Sequence, residues 1–203
     1  MKKIALTSLL AVFAVSAASA ATTPYVAAHV GYDAPTMTTY INHTHSGEFF
    51  NSNNDFAYDL SIAGGVKHDL NSAFALRGEV EYDFASGIKY SYNFDGEAGS
   101  FWANSQTLLF NGYIDMKTSS ALTPYIGAGI GYQWTNLQAH DMGNPHAFAW
   151  QVGGGLTYAL CDHLSVDLGY RYLASADKFS DENGTQKIRS AYHQFRLGAA
   201  YAF

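Results

Sequence analysis

Apolar and polar residues alternate with a period of two along most of the chain from Tyr25 onward. The clearest segment runs from Phe74 to Phe84, where apolar or small residues alternate with a set that is mainly charged. Successive side chains of a β-strand point to opposite faces, so this period predicts a strand with one apolar and one polar face.

The same alternation recurs in seven further segments. The eight predicted strands are Val26–Asp33, Phe56–Lys67, Phe74–Phe84, Thr107–Met116, Ile126–Trp134, Phe148–Tyr158, Leu164–Tyr172 and Gln194–Phe203. About ten residues is the length that a tilted strand needs to cross a membrane. A sheet in lipid must pair all of its backbone groups, which requires closure. The sequence therefore predicts an all-β fold, an eight-stranded antiparallel transmembrane β-barrel.

The predicted connections alternate between short and long. Short ones lie near His68–Ser72, Lys117–Leu122 and Leu160–His163, and long ones at Ala34–Asp55, Ser86–Ser105, Thr135–Pro145 and Leu173–Arg189. Short periplasmic turns and long extracellular loops are typical of outer-membrane barrels. The second long connection is rich in aromatic residues, which fit either a recognition surface or extended strand tips.

A soluble eight-stranded barrel of the lipocalin type is the alternative, since it shares the alternation. A lipocalin-type barrel encloses a small ligand, and we expect the interior face of such a barrel to be apolar. In this chain the face opposite the apolar one is small and charged. It must be the interior, because the other face is too apolar for water.

The first twenty residues have the three parts of a secretory signal peptide. Lys2 and Lys3 precede an apolar run, Ile4–Val15, and Ala18-Ser19-Ala20 supplies the small residues of a cleavage site. The run is shorter than the roughly 20 residues of a transmembrane helix. We predict a signal peptide over residues 1–20 with cleavage after Ala20, or alternatively after Ala21, and a barrel domain over residues 21–203.

Composition narrows the function classes. Without Lys2 and Lys3 the chain keeps nine of its 11 Lys and Arg residues against 17 Asp and Glu, a formal charge of −8. That balance argues against a nucleic-acid partner, since phosphate binding needs basic surface. The single cysteine, Cys161, cannot form an intramolecular disulfide. Aromatic residues make up 15% of the chain, which suits the aromatic girdles of a membrane barrel.

Several of these strands resemble the opacity (Opa) family of small outer-membrane surface antigens. The resemblance rests on residues 111–115 (NGYID), 123–129 (TPYIGAG), 149–156 (AWQVGGGL) and 164–172 (LSVDLGYRY). It implies the outer membrane of a Gram-negative cell, surrounding lipid, and adhesion to host-cell receptors through external loops, and the family also carries a porin label. The C-terminal Tyr201 and Phe203 resemble the aromatic signal that the barrel-assembly machinery recognises.

Charged residues also lie on the predicted interior face. They are Arg77, Glu79, Glu81, Asp83, Asp115, Asp167, Arg171 and Arg196. An eight-stranded barrel is just wide enough inside for side chains to fill it, and buried charges need partners. We therefore predict a paired network that fills the lumen, with a gated ion path as the alternative. Inward glycines such as Gly127, Gly129, Gly131, Gly153 and Gly155 would leave room for the long side chains.

The sequence predicts no catalytic, cofactor or metal site. His43 and His45 could share a metal ion, but a site needs three or four ligands. A hydrolase needs a nucleophile beside a base, and the only His-x-Ser is His163-Leu164-Ser165, whose serine points into the lumen.

We predict a monomeric outer-membrane surface protein that is not an enzyme. Its extracellular loops would have an interaction or structural role, with a host-cell or other surface ligand as the candidate partner. A small diffusion pore is the alternative function, and a barrel enzyme is the weaker one.

Overall fold

Strand pairing between neighbours along the chain, and between the first and last strands, closes the sheet in this computed structural model. The structure describes residues 22–40, 49–51, 57–94, 97–137, 146–181 and 184–203. The predicted signal peptide and its cleavage site lie outside these residues. No helix among the described residues is long and apolar enough to cross a membrane.

Eight long strands form the barrel wall, and every pairing is antiparallel. A ninth strand, β2, has three residues and pairs only with the far part of β4. The strands are β1 (Thr22–Tyr40), β2 (Phe49–Asn51), β3 (Ala57–Asp69), β4 (Phe74–Phe94), β5 (Glu97–Met116), β6 (Leu122–Leu137), β7 (His146–Ala159), β8 (Leu164–Asp181) and β9 (Gly184–Ala202). The predicted eight-stranded barrel is confirmed.

The two faces of the wall differ as the alternation predicts. Leu168 and Ile62 on the outside are each 63% exposed, whereas Glu81 and Asp83 on the inside are at most 1% exposed. The exterior is thus apolar throughout the middle of the wall, as lipid requires, and the charges lie within.

Tight turns join the strands at one end of the barrel, which we call the turn end. At the β3–β4 turn, the side-chain oxygen of Asn71 accepts hydrogen bonds from the backbone N–H groups of Ala73 and Phe74, at 2.8 and 2.9 Å. Asparagine is common in such turns because its side chain can replace a backbone acceptor. All three short connections predicted from the sequence lie at this end.

At the opposite end, the extended end, the structure differs from the predicted loop boundaries. The segment Ser86–Ser105, predicted as a loop, is strand except for residues 95–96, which lie outside the described residues. A bulge between Ala85 and Ile88 marks the start of this extension, and Gly87 there has a φ of 80°, which favours glycine. Strands β1, β8 and β9 likewise run into segments predicted as loops.

The C-terminus completes the seam between β1 and β9. The backbone N–H of Phe203 donates to the carbonyl of Pro24 at 3.0 Å, and that of Ala202 donates to His163 at 2.8 Å. The Tyr201 and Phe203 rings lie on the exterior, with centroids 5.4 Å apart. Their role as an assembly signal stays a prediction.

An apolar layer inside the barrel was not predicted. Leu109, Leu173 and Tyr192 are each at most 1% exposed, and they cluster with alanines towards the extended end. These alanines are Ala57, Ala85, Ala103 and Ala149. Apolar side chains therefore fill part of the lumen beside the buried charges, since Leu109 pairs in register with Glu81 and Ala57 pairs with Asp33.

Candidate functional site in the barrel lumen

The structure places all eight predicted lumen charges on the interior face. Six are buried and two, Arg77 and Asp167, are partly exposed. They divide into a central charge cluster, defined here as Arg171, Arg196, Glu81, Asp83 and Asp59, and a second group nearer the turn end.

Arg171 joins two opposite walls of the barrel. It projects from β8, and its Nη1 lies 2.9 and 3.0 Å from the two carboxylate oxygens of Glu81 on β4. Its Nη2 donates to Asp83 at 2.6 Å, and its Nε donates to Gln194. Since β4 and β8 are separated by three strands on either side of the barrel, these bonds span the lumen.

Arg196 on β9 approaches the same carboxylate from another direction. Its Nη2 donates to Glu81 Oε1 at 2.6 Å and also to the Ser61 hydroxyl. Its Nε lies 3.3 Å from Asp59 Oδ2, an ion pair by distance whose geometry does not make a hydrogen bond. Glu81 is therefore shared by two guanidinium groups, which compensates for its complete burial.

Neutral side chains complete the hydrogen bonding of the carboxylates. The Asn111 amide donates to Glu81 at 2.8 Å and to Glu79 at 3.4 Å, and it accepts from Gln151 at 3.1 Å. The Tyr25 hydroxyl donates to Glu79 at 2.8 Å. Tyr25 was missed in the sequence, although its position matches the interior parity of β1.

The second group, the turn-end cluster, is built around Arg77. Its Nε donates to Asp115 at 2.8 Å, and Lys67 lies 3.6 Å from the other oxygen of that carboxylate. The Arg77 guanidinium carbon also lies 4.6 and 4.8 Å from the ring centroids of Tyr113 and Tyr125. A cation over aromatic rings is stabilised by their electron-rich faces.

Asp167 is held in the turn-end cluster by two other groups. The Tyr125 hydroxyl donates to it at 2.9 Å, and His29 Nε2 lies 3.2 Å from its other oxygen. His29, Lys67 and Tyr125 were not predicted as members of the network. Each partner lies on the next strand but one, so the alternation along a single strand could not reveal the pairing.

Glycine at position 153 makes room for the cross-lumen arginine. A Cβ added there would lie 2.6 Å from the Arg171 Cβ and 2.5 Å from the Tyr170 carbonyl oxygen. The predicted role of inward glycines therefore has a clear example at Gly153.

Two cavities lie beside the network in the described part of the lumen. A cavity of about 210 Å³, lined by Lys67, Arg77, Asp115 and Asp167 among others, opens at the turn end. Another cavity, beside Tyr113 and Arg171, has a volume of about 30 Å³. Since a single water needs roughly 10–15 Å³ by this kind of measure, that space holds few waters.

The histidines and the serine that were weighed in the sequence as metal ligands or catalytic groups have the following places. Within the described residues, no group of three or more His, Cys, Asp or Glu side chains is placed as a metal site. His43 and His45 lie outside those residues. His163 places its Nδ1 3.0 Å from the Ala202 carbonyl and stacks on Tyr201, and Ser165 lines the turn-end cavity.

Comparison with known proteins gives a family and several relatives. The family model described as "Outer membrane protein beta-barrel domain" matches residues 5–203. Outer membrane protein PagN of Salmonella typhimurium is 30% identical over 117 residues, 48% of this chain and 49% of PagN. An uncharacterized protein of Brucella abortus is 35% identical over 94 residues, 39% of this chain and 32% of that protein. The chain thus aligns with half or less of the length of these two curated relatives.

Two solved structures share the fold. Neisserial surface protein A has a TM-score of 0.58 at 18% identity, over 89% of this chain and 97% of that one. OprG from Pseudomonas aeruginosa has a TM-score of 0.52 at 13% identity, over 90% of this chain and 96% of that one. At sequence identities this low, the similarity shows a shared fold and no more.

The central charge cluster predicts a loss of stability when Arg171 is removed. Arg171→Ala leaves Asp83 without its arginine and Glu81 with Arg196 alone. Breaking a buried pair typically costs roughly 3–5 kcal/mol, and we expect about 2–3 kcal/mol because water can enter the vacated space. Urea unfolding in lipid vesicles measures the change.

Arg77→Ala is the matched control. Its partner Asp115 keeps Lys67 at 3.6 Å, and Arg77 is less buried, so the loss should be clearly smaller. Equal losses for the two variants would contradict a special role for the cross-lumen contact.

Proposed function

Since this chain belongs to the outer-membrane protein β-barrel family and resides in the outer membrane, we propose that it is a surface protein with a closed lumen, which acts through its extended end. The turn end then faces the periplasm and the extended end faces outward. The observation that carries the proposal is the buried contact of Arg171 with Glu81 across the lumen.

Two levels of the interior support a closed barrel. The central charge cluster occupies the middle, and the apolar layer of Leu109, Leu173 and Tyr192 lies towards the outside. An ion passing through would have to break the buried ion pairs and pass the apolar side chains that lie beside them and towards the extended end. Each step opposes conduction.

The length of the wall supports an external role. Strand β4 has 21 residues and β5 has 20. At a rise of about 3.4 Å per residue and a tilt of about 45°, such a strand covers about 50 Å along the barrel axis, whereas the apolar band is about 25 Å tall. About half of the β4–β5 hairpin therefore stands outside the lipid.

The hairpin presents recognition-type side chains. Trp102 is 47% exposed, and the Lys89 ammonium lies 5.7 Å from its ring centroid. Exposed aromatic residues beside a cation are common in binding surfaces. We therefore propose that the extracellular hairpins contact a ligand outside the cell, on a host cell or another surface.

The closed seam between β1 and β9 leaves no open sheet edge in the wall, so we expect a monomer. Lipid and, during biogenesis, the barrel-assembly machinery are its expected partners. The pore remains the alternative function, because the cavity at the turn end has charged side chains, including Lys67, Arg77 and Asp115, in its lining. An enzyme is the weaker alternative.

Planar-bilayer recording tests the closed lumen. The refolded wild type should show no steady conductance, because the charge cluster and the apolar layer occupy the lumen. The matched control is the addition of detergent without protein. A steady conductance of defined size, with ion selectivity that changes in Arg171→Ala, would establish the pore instead.

Thiol labelling of intact cells tests the orientation. The single cysteine, Cys161, is exposed at the turn end and should not react with a membrane-impermeant maleimide until the outer membrane is permeabilised. Ser100→Cys, made together with Cys161→Ser, should react at once, since Ser100 is exposed on the β4–β5 hairpin. The reverse pattern would place the hairpin in the periplasm and remove the basis for surface recognition.

A further inference from the structure

Three basic residues occupy exterior positions on β8 and β9 at the extended end. On β9, every second residue from Tyr201 to Phe195 is exposed on the lipid-facing side. The ladders with β1 and β8 continue from there without a register shift, so Arg189 and Lys187 hold positions of the same exterior series. Lys178 on β8 pairs directly with Lys187. Like charges directly opposite each other destabilise a ladder, so an anion beside this pair would stabilise it.

A fourth basic residue, Lys89 on β4, lies at the same height on the opposite side of the barrel. It pairs with Trp102, which is exposed, and its ammonium lies 5.7 Å from that ring centroid. At a rise of about 3.4 Å per residue and a tilt of about 45°, these four residues stand about 30–35 Å from the turn end. We call Lys89, Lys178, Lys187 and Arg189 the basic belt.

The exterior of the β4–β5 hairpin becomes polar just below the basic belt. The Tyr82 hydroxyl donates to the Gln106 side-chain oxygen at 2.7 Å, and one step further the Ser86 hydroxyl donates to that of Asn104 at 3.0 Å. The apolar band of such barrels is about 25 Å tall, which agrees with its ending at this level. Lys89 therefore stands beyond the acyl chains, at the height of the lipid headgroups.

Acidic residues follow the opposite rule. Glu97 on β5 and both Asp177 and Asp181 on β8 hold interior positions of their ladders, although they lie at the same end of the barrel. Within the strands that the structure describes, no Asp or Glu holds an exterior position. The chain as a whole is acidic, with a formal net charge of −6. A basic ring on the outside of an acidic protein points to an anionic partner at that level.

We propose that the basic belt binds the phosphate-bearing headgroups of the lipid leaflet around the extended end, the outer leaflet of the outer membrane. Headgroups extend a hydrocarbon core of about 30 Å to about 40–45 Å, and the belt lies within that added layer. Anionic lipid attracts Lys and Arg near the membrane surface, and a phosphate beside Lys178 and Lys187 offsets their repulsion. The inference rests on the outward orientation proposed above, and it names a partner for the base of the extended end.

Quenching of tryptophan fluorescence by brominated lipid tests the proposal. Trp134 and Trp150 lie on the lipid-facing wall, 41% and 42% exposed. The wild type is refolded in phosphatidylcholine vesicles with phosphatidylglycerol as a minor component, and bromine is placed either on the anionic lipid or on an equal amount of the neutral one. We expect an enrichment of the anionic lipid at the wall of at least about twofold, which high salt reduces. Equal quenching by the two lipids would overturn the proposal.

The double variant Lys178→Gln, Lys187→Gln locates the contact and should lose most of the enrichment. The charge-conserving pair Lys178→Arg, Lys187→Arg should keep it. Lys117→Gln, at the turn end, is the control on the other side of the membrane and should behave like the wild type. If the double glutamine variant does not fold, Lys187→Gln alone takes its place. An unchanged enrichment in the glutamine variant would overturn the assignment to the basic belt.

A soluble polyanion is the competing occupant. Dextran sulfate added to vesicles of pure phosphatidylcholine should leave the thermal unfolding midpoint of the wild type unchanged, whereas phosphatidylglycerol in the vesicles should raise it. A rise with the polymer that the glutamine variant lacks would replace the lipid by a soluble partner. Thiol labelling decides the orientation independently, so a missing lipid preference with the expected labelling would remove this partner and leave the proposed function intact.

Discussion

The contact between Arg171 and Glu81 is the interaction on which the interior depends. It joins β8 to β4 across the full lumen, at 2.9–3.0 Å, between side chains that are nearly inaccessible to water. Arg196, Asn111 and Asp83 then attach to the same pair. A buried ion pair of this kind adds little net stability, but neither partner can be removed cheaply, so it favours one arrangement of the opposite walls.

That constraint links the interior to the outside of the molecule. A barrel wall held across its lumen is a rigid base for the strand extensions at the extended end, and β4, which carries Glu81, continues directly into the β4–β5 hairpin, which we propose faces outward. If the lumen is closed, as we propose, recognition at the extended end is the remaining role of the architecture. The apolar exterior, the family match and the fold relatives agree on the outer membrane as the location.

Much of the wall could be predicted from the sequence, because lipid outside and charge inside impose a strict period of two, as in Phe74–Phe84. The fold class, the membrane location and the resemblance to small surface-antigen barrels are confirmed. The segment Ser86–Ser105 was predicted as a long connection with extended strand tips left open, and the structure shows the strands; the boundary was hard to predict since outside lipid neither face must be apolar. The apolar layer was missed because the run Leu108-Leu109-Phe110 shows no alternation. The charged residues of the interior face were predicted from the sequence. Their pairing between β4 and β8 depends on closure of the barrel, which no local sequence pattern shows.

The most direct measurement of the central claim is a double-mutant cycle between Glu81 and Arg171. Glu81→Gln, Arg171→Met and the double variant would be unfolded with urea in lipid vesicles, alongside the wild type. If the two side chains hold each other across the lumen, the double variant should be more stable than the sum of the single losses implies, with a coupling of at least about 1 kcal/mol. Single losses that add to within about 0.5 kcal/mol would mean that water, and not the opposite wall, stabilises each charge.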